Sequence, residues 1–168
     1  MDKPQNSAAK GNLIPQALDI EQAVVSAMLV DSRGVEDAMQ IVKEAYFYSP
    51  KFRSIFKAIK QLYDSNQPID LLTVSQKLQD AKALEKIGGD LFLIRLTQTI
   101  GSSANIESHC RIILEKYLKR EVIKVSNQAI KQAFDASVDV FALIDFTGQS
   151  FDRVAGIIAT GSASMTWS

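Results

Sequence analysis

The chain has 168 residues, 46% of them hydrophobic, and carries 19 basic and 19 acidic side chains. This length suffices for one domain, or for one domain with an appendage. Zero net charge argues against a protein that binds nucleic acid through its overall charge. A single cysteine, Cys110, excludes an internal disulfide.

No apolar run reaches the roughly 18 residues that a membrane span requires. The first residues, "MDKPQNSAAKGN", are polar and lack the apolar centre of a secretory signal. Residues 1–12 are therefore expected to be a disordered leader. We expect a cytoplasmic protein that makes no contact with a membrane.

Helical spacing of apolar residues begins after the leader and recurs along the next ninety residues. Ser49-Pro50 is typical of a helix start, because proline lacks only an N–H that would be unpaired there. Asp70 is placed to cap a later helix, and "ALEKIGG" predicts one more turn that ends at a left-handed glycine. We expect residues 13–101 to form a globular helical subdomain.

The same spacing predicts which side chains fill the core of this subdomain. The predicted core residues are Met28, Met39, Phe52, Ile55, Phe56, Ile59, Leu62, Leu78, Leu91 and Leu96.

Residues 102–134 contain neither proline nor glycine, and apolar positions recur throughout. They predict one helix of about 30 residues, about 45 Å long. After "DASVD" a returning helix is expected, weakened at Gly148. The predicted fold class is all-α, a compact helical bundle followed by a long protruding helical hairpin over residues 102–158. Residues 159–168 are expected to be a disordered tail or a truncation scar.

Two long helices alone cannot cover their apolar sides, so the hairpin must bury them against something else. A second copy of the chain is the simplest partner, giving a four-helix arrangement. Ile113, Tyr117 and Val154 are the residues predicted at this oligomer interface. The alternative is that the hairpin folds back onto its own bundle.

The sequence offers no catalytic, cofactor-binding or metal-binding residue. It has no G-x-x-x-x-G-K-[ST] phosphate loop and only one histidine, His109. Cys110 follows it, but neighbouring residues of a helix point about 100° apart and do not form a dyad.

The long helix has three more basic than acidic side chains. This mild basic face predicts contact with an acidic partner or nucleic acid, and two aromatic residues near the turn are candidate anchors. The candidate partner-binding residues are Arg111, Lys119, Arg120, Lys124, Phe134 and Phe141. The alternatives are a solvated outer face with pairs such as Glu115–Lys119 and, for the two aromatics, packing inside the hairpin.

Three stretches resemble, in order and spacing, the N-terminal domain of bacterial replicative DNA helicases, the DnaB-type hexameric family. They are "IPQALDIEQAVVSAMLVD", "FYSPKFRSIFKAIKQLYDSNQPIDLLTVSQKL" and "GGDLFLIRLTQTIGSSANIESHCRIILEKYLKRE". The likeness covers roughly residues 13–145. No single motif is diagnostic, but the ordered set is specific.

The resemblance implies a helical collar beside a motor, used for ring assembly and primase recruitment. In that family the hairpins pair, and the pairs assemble as a trimer of dimers within a hexamer. The expected partners are a second copy, the C-terminal domain of primase, a helicase loader in some relatives, and DNA mainly through the parent protein.

No cofactor is expected in this chain, since the sequence lacks a phosphate loop. ATP, Mg²⁺ and helicase activity are expected in an ATPase module of the parent protein that this sequence does not contain. The alternative function is a stand-alone helical module for nucleic-acid binding or dimerisation.

Overall fold

The computed structural model describes residues 13–99 and 103–162. These residues form eight α-helices and two short 3-10 turns, and include no strand. The helices are α1 (Leu18–Val30), α2 (Ser32–Ile41), α3 (Pro50–Asp64), α4 (Leu71–Asp80), α5 (Leu84–Ile87), α6 (Gly89–Gln98), α7 (Ile106–Ala133) and α8 (Val140–Ser162). The predicted leader, residues 1–12, lies outside the described residues, as do residues 163–168 of the predicted tail.

The helix boundaries follow the local chemistry of the chain. Pro50 begins α3, and Asp70 caps α4 in a reciprocal pair with Thr73. The Asp70 carboxylate accepts from the Thr73 N–H at 2.9 Å, and the Thr73 hydroxyl oxygen accepts from the Asp70 N–H at 3.0 Å. Gly88 ends α5 with a φ of 113°, which favours glycine. Asp70 and Gly88 thus define where helices begin and end within residues 66–89.

Helices α1 to α6 and the first half of α7 enclose one hydrophobic core. Eight predicted core residues are buried and Met39 is partly buried against the core. The prediction for Leu91 is wrong, because its side chain is 69% exposed. Leu93 and Leu96 supply the buried side of α6, and Leu91 lies about 140° or more from both around the helix.

Gly34 lets α2 approach its neighbours closely. A Cβ at this position would lie 3.2 Å from Ile106 Cδ1 and 3.3 Å from the Ala27 carbonyl oxygen. Glycine therefore allows α2 to pack tightly between α1 and the start of α7.

Helix α7 runs without a break for 28 residues and belongs to both halves of the molecule. Ile106, Cys110 and Ile113 are buried in the bundle core. Beyond them, α7 continues away from the core and pairs with α8, for which it is the main neighbour among the described helices. The all-α bundle with a projecting hairpin is confirmed. Helix α8 passes through Gly148 unbroken and reaches Ser162, four residues past the predicted boundary.

Candidate interaction surface of the hairpin

One narrow seam holds the two helices of the hairpin together. Val125 of α7 and Ser150 and Val154 of α8 are buried along it. They line a cleft of about 360 Å³ between the helices, together with Tyr117 and Phe146. On α8 the seam residues recur at alternating spacings of four and three: Leu143, Thr147, Ser150, Val154 and Ile157. This is the spacing of an antiparallel helix pair.

A second apolar stripe on α8 is offset from the seam by one residue. It contains Val140, Ile144, Phe151 and Ile158, all of which are exposed. An α-helix turns about 100° per residue, so this stripe lies roughly a quarter turn from the seam. Nothing in the described chain covers it.

Helix α7 carries a matching stripe on the same side of the hairpin. Val122, Ile123 and Ile130 are exposed and lie about 60–160° from Val125, in the same rotational sense as the stripe of α8. Two antiparallel helices are related by a local two-fold axis perpendicular to their common plane. A rotation of the same sense therefore leads to the same side on both helices. We call this side the apolar face: Val122, Ile123, Ile130, Val140, Ile144, Phe151 and Ile158.

The opposite side of the hairpin is polar. Rotation in the other sense from the seam reaches Lys124 and Lys131 on α7, and Asp145, Gln149 and Asp152 on α8. Each helix thus has two apolar stripes. One packs against the other helix of the hairpin, and the second contributes to the apolar face. The hairpin thus has one apolar and one polar side, and an exposed apolar side of this kind is a candidate interaction surface.

Two phenylalanines stand at the tip of the hairpin. Phe134 is 88% exposed and Phe141 is 79% exposed. Each lies nine residues, about two and a half turns, from a buried seam residue, so each points away from the other helix. The turn between them is fixed by Asp135, whose carboxylate accepts from the Ser137 N–H and hydroxyl at 2.9 and 2.6 Å. These hydrogen bonds lower the pKa of Asp135.

At its base the hairpin is attached to the bundle by Arg120. We call Arg120 and its neighbours Tyr46 and Tyr117 the Arg120 joint. The guanidinium donates from Nη1 to the Pro15 carbonyl at 2.8 Å and from Nη2 to the Tyr46 carbonyl at 2.6 Å. It lies over the ring of Tyr117, which stacks on Tyr46 with centroids 4.4 Å apart. Partial burial lowers the pKa of Arg120 and raises those of both tyrosines.

Glu21 completes this joint from the side of α1. Its side chain is buried, and its carboxylate accepts from the Tyr48 N–H at 2.6 Å and the Ser49 N–H at 3.0 Å. The negative charge of Glu21 also favours the protonated form of Arg120. Sequence reasoning missed Glu21, since its partners lie 27 and 28 residues away and no local motif connects them.

The three residues predicted at the oligomer interface lie in three different environments. Ile113 is only 1% exposed and lies in the bundle core. Tyr117 belongs to the Arg120 joint, and Val154 lies in the seam. The assignment of Ile113 as a contact residue is therefore corrected, because its side chain has no surface to offer a second copy. On α8 the apolar face lies next to the seam that contains Val154, offset from it by one residue.

The predicted basic face is largely neutralised within the chain. Arg111, Lys119 and Lys124 form ion pairs with the glutamates one turn away, at 3.7, 2.6 and 3.8 Å. Arg120 is half-buried, and its guanidinium already donates to two backbone carbonyls. The role of these four cations in partner binding stays a prediction. Phe134 and Phe141 are exposed, as a docking role requires.

The rest of the described chain offers little for chemistry. Cys110 is buried, which raises the pKa of its thiol to about 12 and keeps it protonated. Within residues 13–99 and 103–162, no cluster of histidine, cysteine or acidic side chains is suited to hold a metal ion. None of the described helices is both long and apolar enough to cross a membrane.

Comparison with known proteins identifies the family to which this arrangement belongs. Residues 13–115 match the family described as the DnaB-like helicase N terminal domain. The chain belongs to the DnaB-like helicase N-terminal domain family. The match covers the bundle and the first third of α7, and it ends just before Tyr117 and Arg120. The recognition from sequence is thereby confirmed.

Individual DnaB relatives agree with this assignment. The chain is 39% identical over 147 residues to the replicative DNA helicase DnaB of Rhodothermus marinus, covering 88% of this chain and 16% of that protein. It is 33% identical over 129 residues to DnaB of Treponema pallidum, covering 77% of this chain and 30% of that protein. The chain thus corresponds to less than a third of the length of these helicases.

Solved DnaB structures share the fold. The N-terminal domain of DnaB helicase from Mycobacterium tuberculosis superposes with a TM-score of 0.78 at 27% identity, covering 83% of this chain and 98% of that one. A DnaB-like replicative helicase, solved with its interactions with primase, superposes with a TM-score of 0.67 at 18% identity, covering 89% of this chain and 36% of that one. The second likeness concerns the fold alone.

The Arg120 joint predicts a specific pattern of stabilities. Arg120→Met removes two charge-assisted hydrogen bonds and leaves two carbonyls without their donor, so it should lower the free energy of unfolding by about 1–3 kcal/mol. Arg120→Lys should lie between this variant and the wild type, because one ammonium replaces two separate donors. Urea unfolding followed by circular dichroism measures both effects.

Lys119→Met is the matched control, since Lys119 is exposed and has only its surface pair with Glu115. Its effect should stay below about 1 kcal/mol. Equal effects at positions 119 and 120 would show that the joint does not hold the hairpin base.

Proposed function

We propose that this chain is the helical collar of a replicative DNA helicase, which assembles a ring and recruits primase. Copies pair through the apolar faces of their hairpins, and three pairs close a hexamer. The parent protein would unwind duplex DNA with ATP and Mg²⁺ bound in a separate motor module. The observation that carries the proposal is the apolar face, on a hairpin that projects from a bundle with its own complete core.

The extent of the apolar face supports pairing with a second copy. Its seven large residues are between 38% and 64% exposed. A fully exposed side chain of this size presents on the order of 150–200 Å², so together they expose roughly 600 Å². This is comparable to the ~800 Å² that each partner contributes to a standard protein interface. A face of this size lies at the upper end of the apolar patches that monomeric proteins expose, and such patches are often functional.

Primase docking is supported by family membership and by the exposed hairpin tip. The solved DnaB-like helicase that interacts with primase has the same fold. Phe134 and Phe141 point away from the seam, so pairing through the apolar face need not bury them fully. Exposed aromatics of this kind are typical anchors in protein interfaces. A helicase loader is a further candidate partner of the same collar.

A charge placed on the apolar face tests the pairing. Ile144→Glu should raise the dissociation constant of the pair by at least about tenfold, because it would place a charge in an apolar interface. Multi-angle light scattering after gel filtration measures the mass of each species, and circular dichroism confirms that the helices remain.

Gln149→Glu is the matched control, since it adds the same charge to the polar side of α8. Its pairing should match that of the wild type. Equal loss of mass in the two variants would show that net charge, and not the apolar face, governs association.

Removal of both tip aromatics tests primase docking. Phe134→Ala with Phe141→Ala should weaken binding of the cognate primase C-terminal domain by about tenfold or more, as loss of interface anchors does. The stability of the chain should hardly change, because both side chains are exposed. Isothermal titration calorimetry measures the affinity.

Lys119→Gln tests whether an exposed charge contributes to primase docking separately from the two aromatic residues. It should weaken binding at low salt and leave it unchanged at high salt, because exposed charges mainly set the rate and salt dependence of association. If the aromatic double variant and the Lys119 variant both bind primase with wild-type affinity at both salt levels, these residues of the hairpin take no part in primase docking.

A further inference from the structure

A cleft of about 640 Å³ opens on the bundle, between α3 on one side and the end of α2 with the turn that follows it on the other. Met39, Val42 and Ala45 supply an apolar wall. The volume is within the range typical of sites for small organic molecules. All of the lining residues lie between positions 39 and 64, so the cleft is separate from the apolar face and from the tip of the hairpin.

The acidic side chains that line the cleft are already paired with lysines of α3. The Asp64 carboxylate lies 2.6 Å from the Lys60 ammonium, and the Glu44 carboxylate lies 3.8 Å from that of Lys57. Each negative charge on the wall of the cleft is therefore matched by one positive charge of the helix beside it.

Two further cations on the wall, Lys43 and Arg53, are not matched in this way. Within residues 13–99 and 103–162, neither has a carboxylate at ion-pair distance. Arg53 donates from Nη2 to the Phe47 carbonyl at 2.8 Å, which orients the guanidinium without neutralising its charge. A guanidinium and an ammonium without acidic partners favour an anionic ligand, and phosphate groups are their usual ligands in proteins.

Tyr63 gives the cleft an aromatic surface. Its side chain is 40% exposed and also lines a second, neighbouring cleft of about 330 Å³. Asn66 and Gln67 line this second cleft, and a side-chain amide offers both donor and acceptor atoms. An aromatic ring for stacking beside amides for hydrogen bonding is the chemistry that recognises a nucleobase.

We propose that this cleft binds a nucleoside di- or triphosphate, with the base against Tyr63 and the phosphates at Lys43 and Arg53. Along α3, Arg53 and Tyr63 are ten residues apart, which corresponds to about 15 Å. An extended nucleotide spans a comparable distance from base to terminal phosphate. The apolar wall then lies beside the sugar.

The charges around the cleft favour a free nucleotide over a nucleic-acid strand. A strand carries a phosphate at every residue and is bound along a continuous basic track. Here the path beyond Tyr63 meets acidic side chains, Asp64 in the first cleft and Glu36 in the second. A single nucleotide needs cations at one end only.

Titration calorimetry of the unaltered chain with ADP, GDP, CDP and UDP tests for the site. The sequence has no phosphate loop, so this binding would not occur at a site of that kind. At least one of these nucleotides should bind saturably. Pyrophosphate and the matching nucleoside should each bind at least about tenfold more weakly, because the first lacks the stacking base and the second lacks the phosphates.

Variants of the two ends assign the binding to the cleft. Lys43→Gln should raise the dissociation constant by about tenfold, because it removes a charge-assisted contact with phosphate. Lys86→Gln is the matched control, since Lys86 is an exposed lysine of α5 that does not line the cleft. Tyr63→Leu should raise the dissociation constant by at least about fivefold through loss of stacking, whereas Tyr63→Phe keeps the ring and should bind as the wild type does. Circular dichroism confirms that each variant is folded.

Several results would overturn the inference. They are the absence of saturable binding by every nucleotide tested, wild-type affinity in Lys43→Gln or in Tyr63→Leu, and an equal loss in Lys43→Gln and Lys86→Gln. Pyrophosphate that binds as tightly as the nucleotide would reduce the site to one for phosphate alone. A short single-stranded DNA that binds more tightly than the nucleotide, and that loses affinity in Lys43→Gln, would assign the cleft to nucleic acid instead.

Discussion

Helix α7 is buried along its first turns only, and both halves of the molecule are organised around that difference. Its first turns are enclosed by the bundle core, whereas its second half has only α8 beside it. A single unbroken helix cannot be stable in water along its whole length unless its apolar positions find neighbours. Inside the bundle those neighbours come from the same chain. Along the hairpin, α8 covers one seam and leaves a second stripe exposed on each helix.

The Arg120 joint connects these two environments. It ties α7 to the carbonyls of Pro15 and Tyr46, and Glu21 holds the adjoining loop from α1. Charged groups are rarely placed at such half-buried positions unless their hydrogen bonds are well satisfied, as they are here. The orientation of the hairpin, and so of the apolar face, is therefore set by the bundle. This division into a bundle with its own core and an exposed arm supports the role in assembly that we propose.

Much of this architecture can be predicted from the sequence, because its causes are local. Helical spacing, Pro50, the Asp70 cap and the absence of breakers in α7 indicate the all-α fold and the hairpin. Long-range contacts are not visible in this way: Arg120 resembles any surface cation until its partners 74 and 105 residues away are known. The residues predicted at the oligomer interface, Ile113, Tyr117 and Val154, show a related difficulty. The seam and the apolar face of α8 differ by one residue, and only the burial pattern separates them.

In the pairing that we propose, a second copy covers the exposed stripes of the hairpin. The most direct measurement is the mass of the unaltered chain in solution, by sedimentation equilibrium over a wide concentration range. If the apolar faces pair, the mass should rise with concentration from the 18.5 kDa of one chain to at least twice that value. A mass of 18.5 kDa at every concentration would contradict it, and the apolar face would then need another explanation.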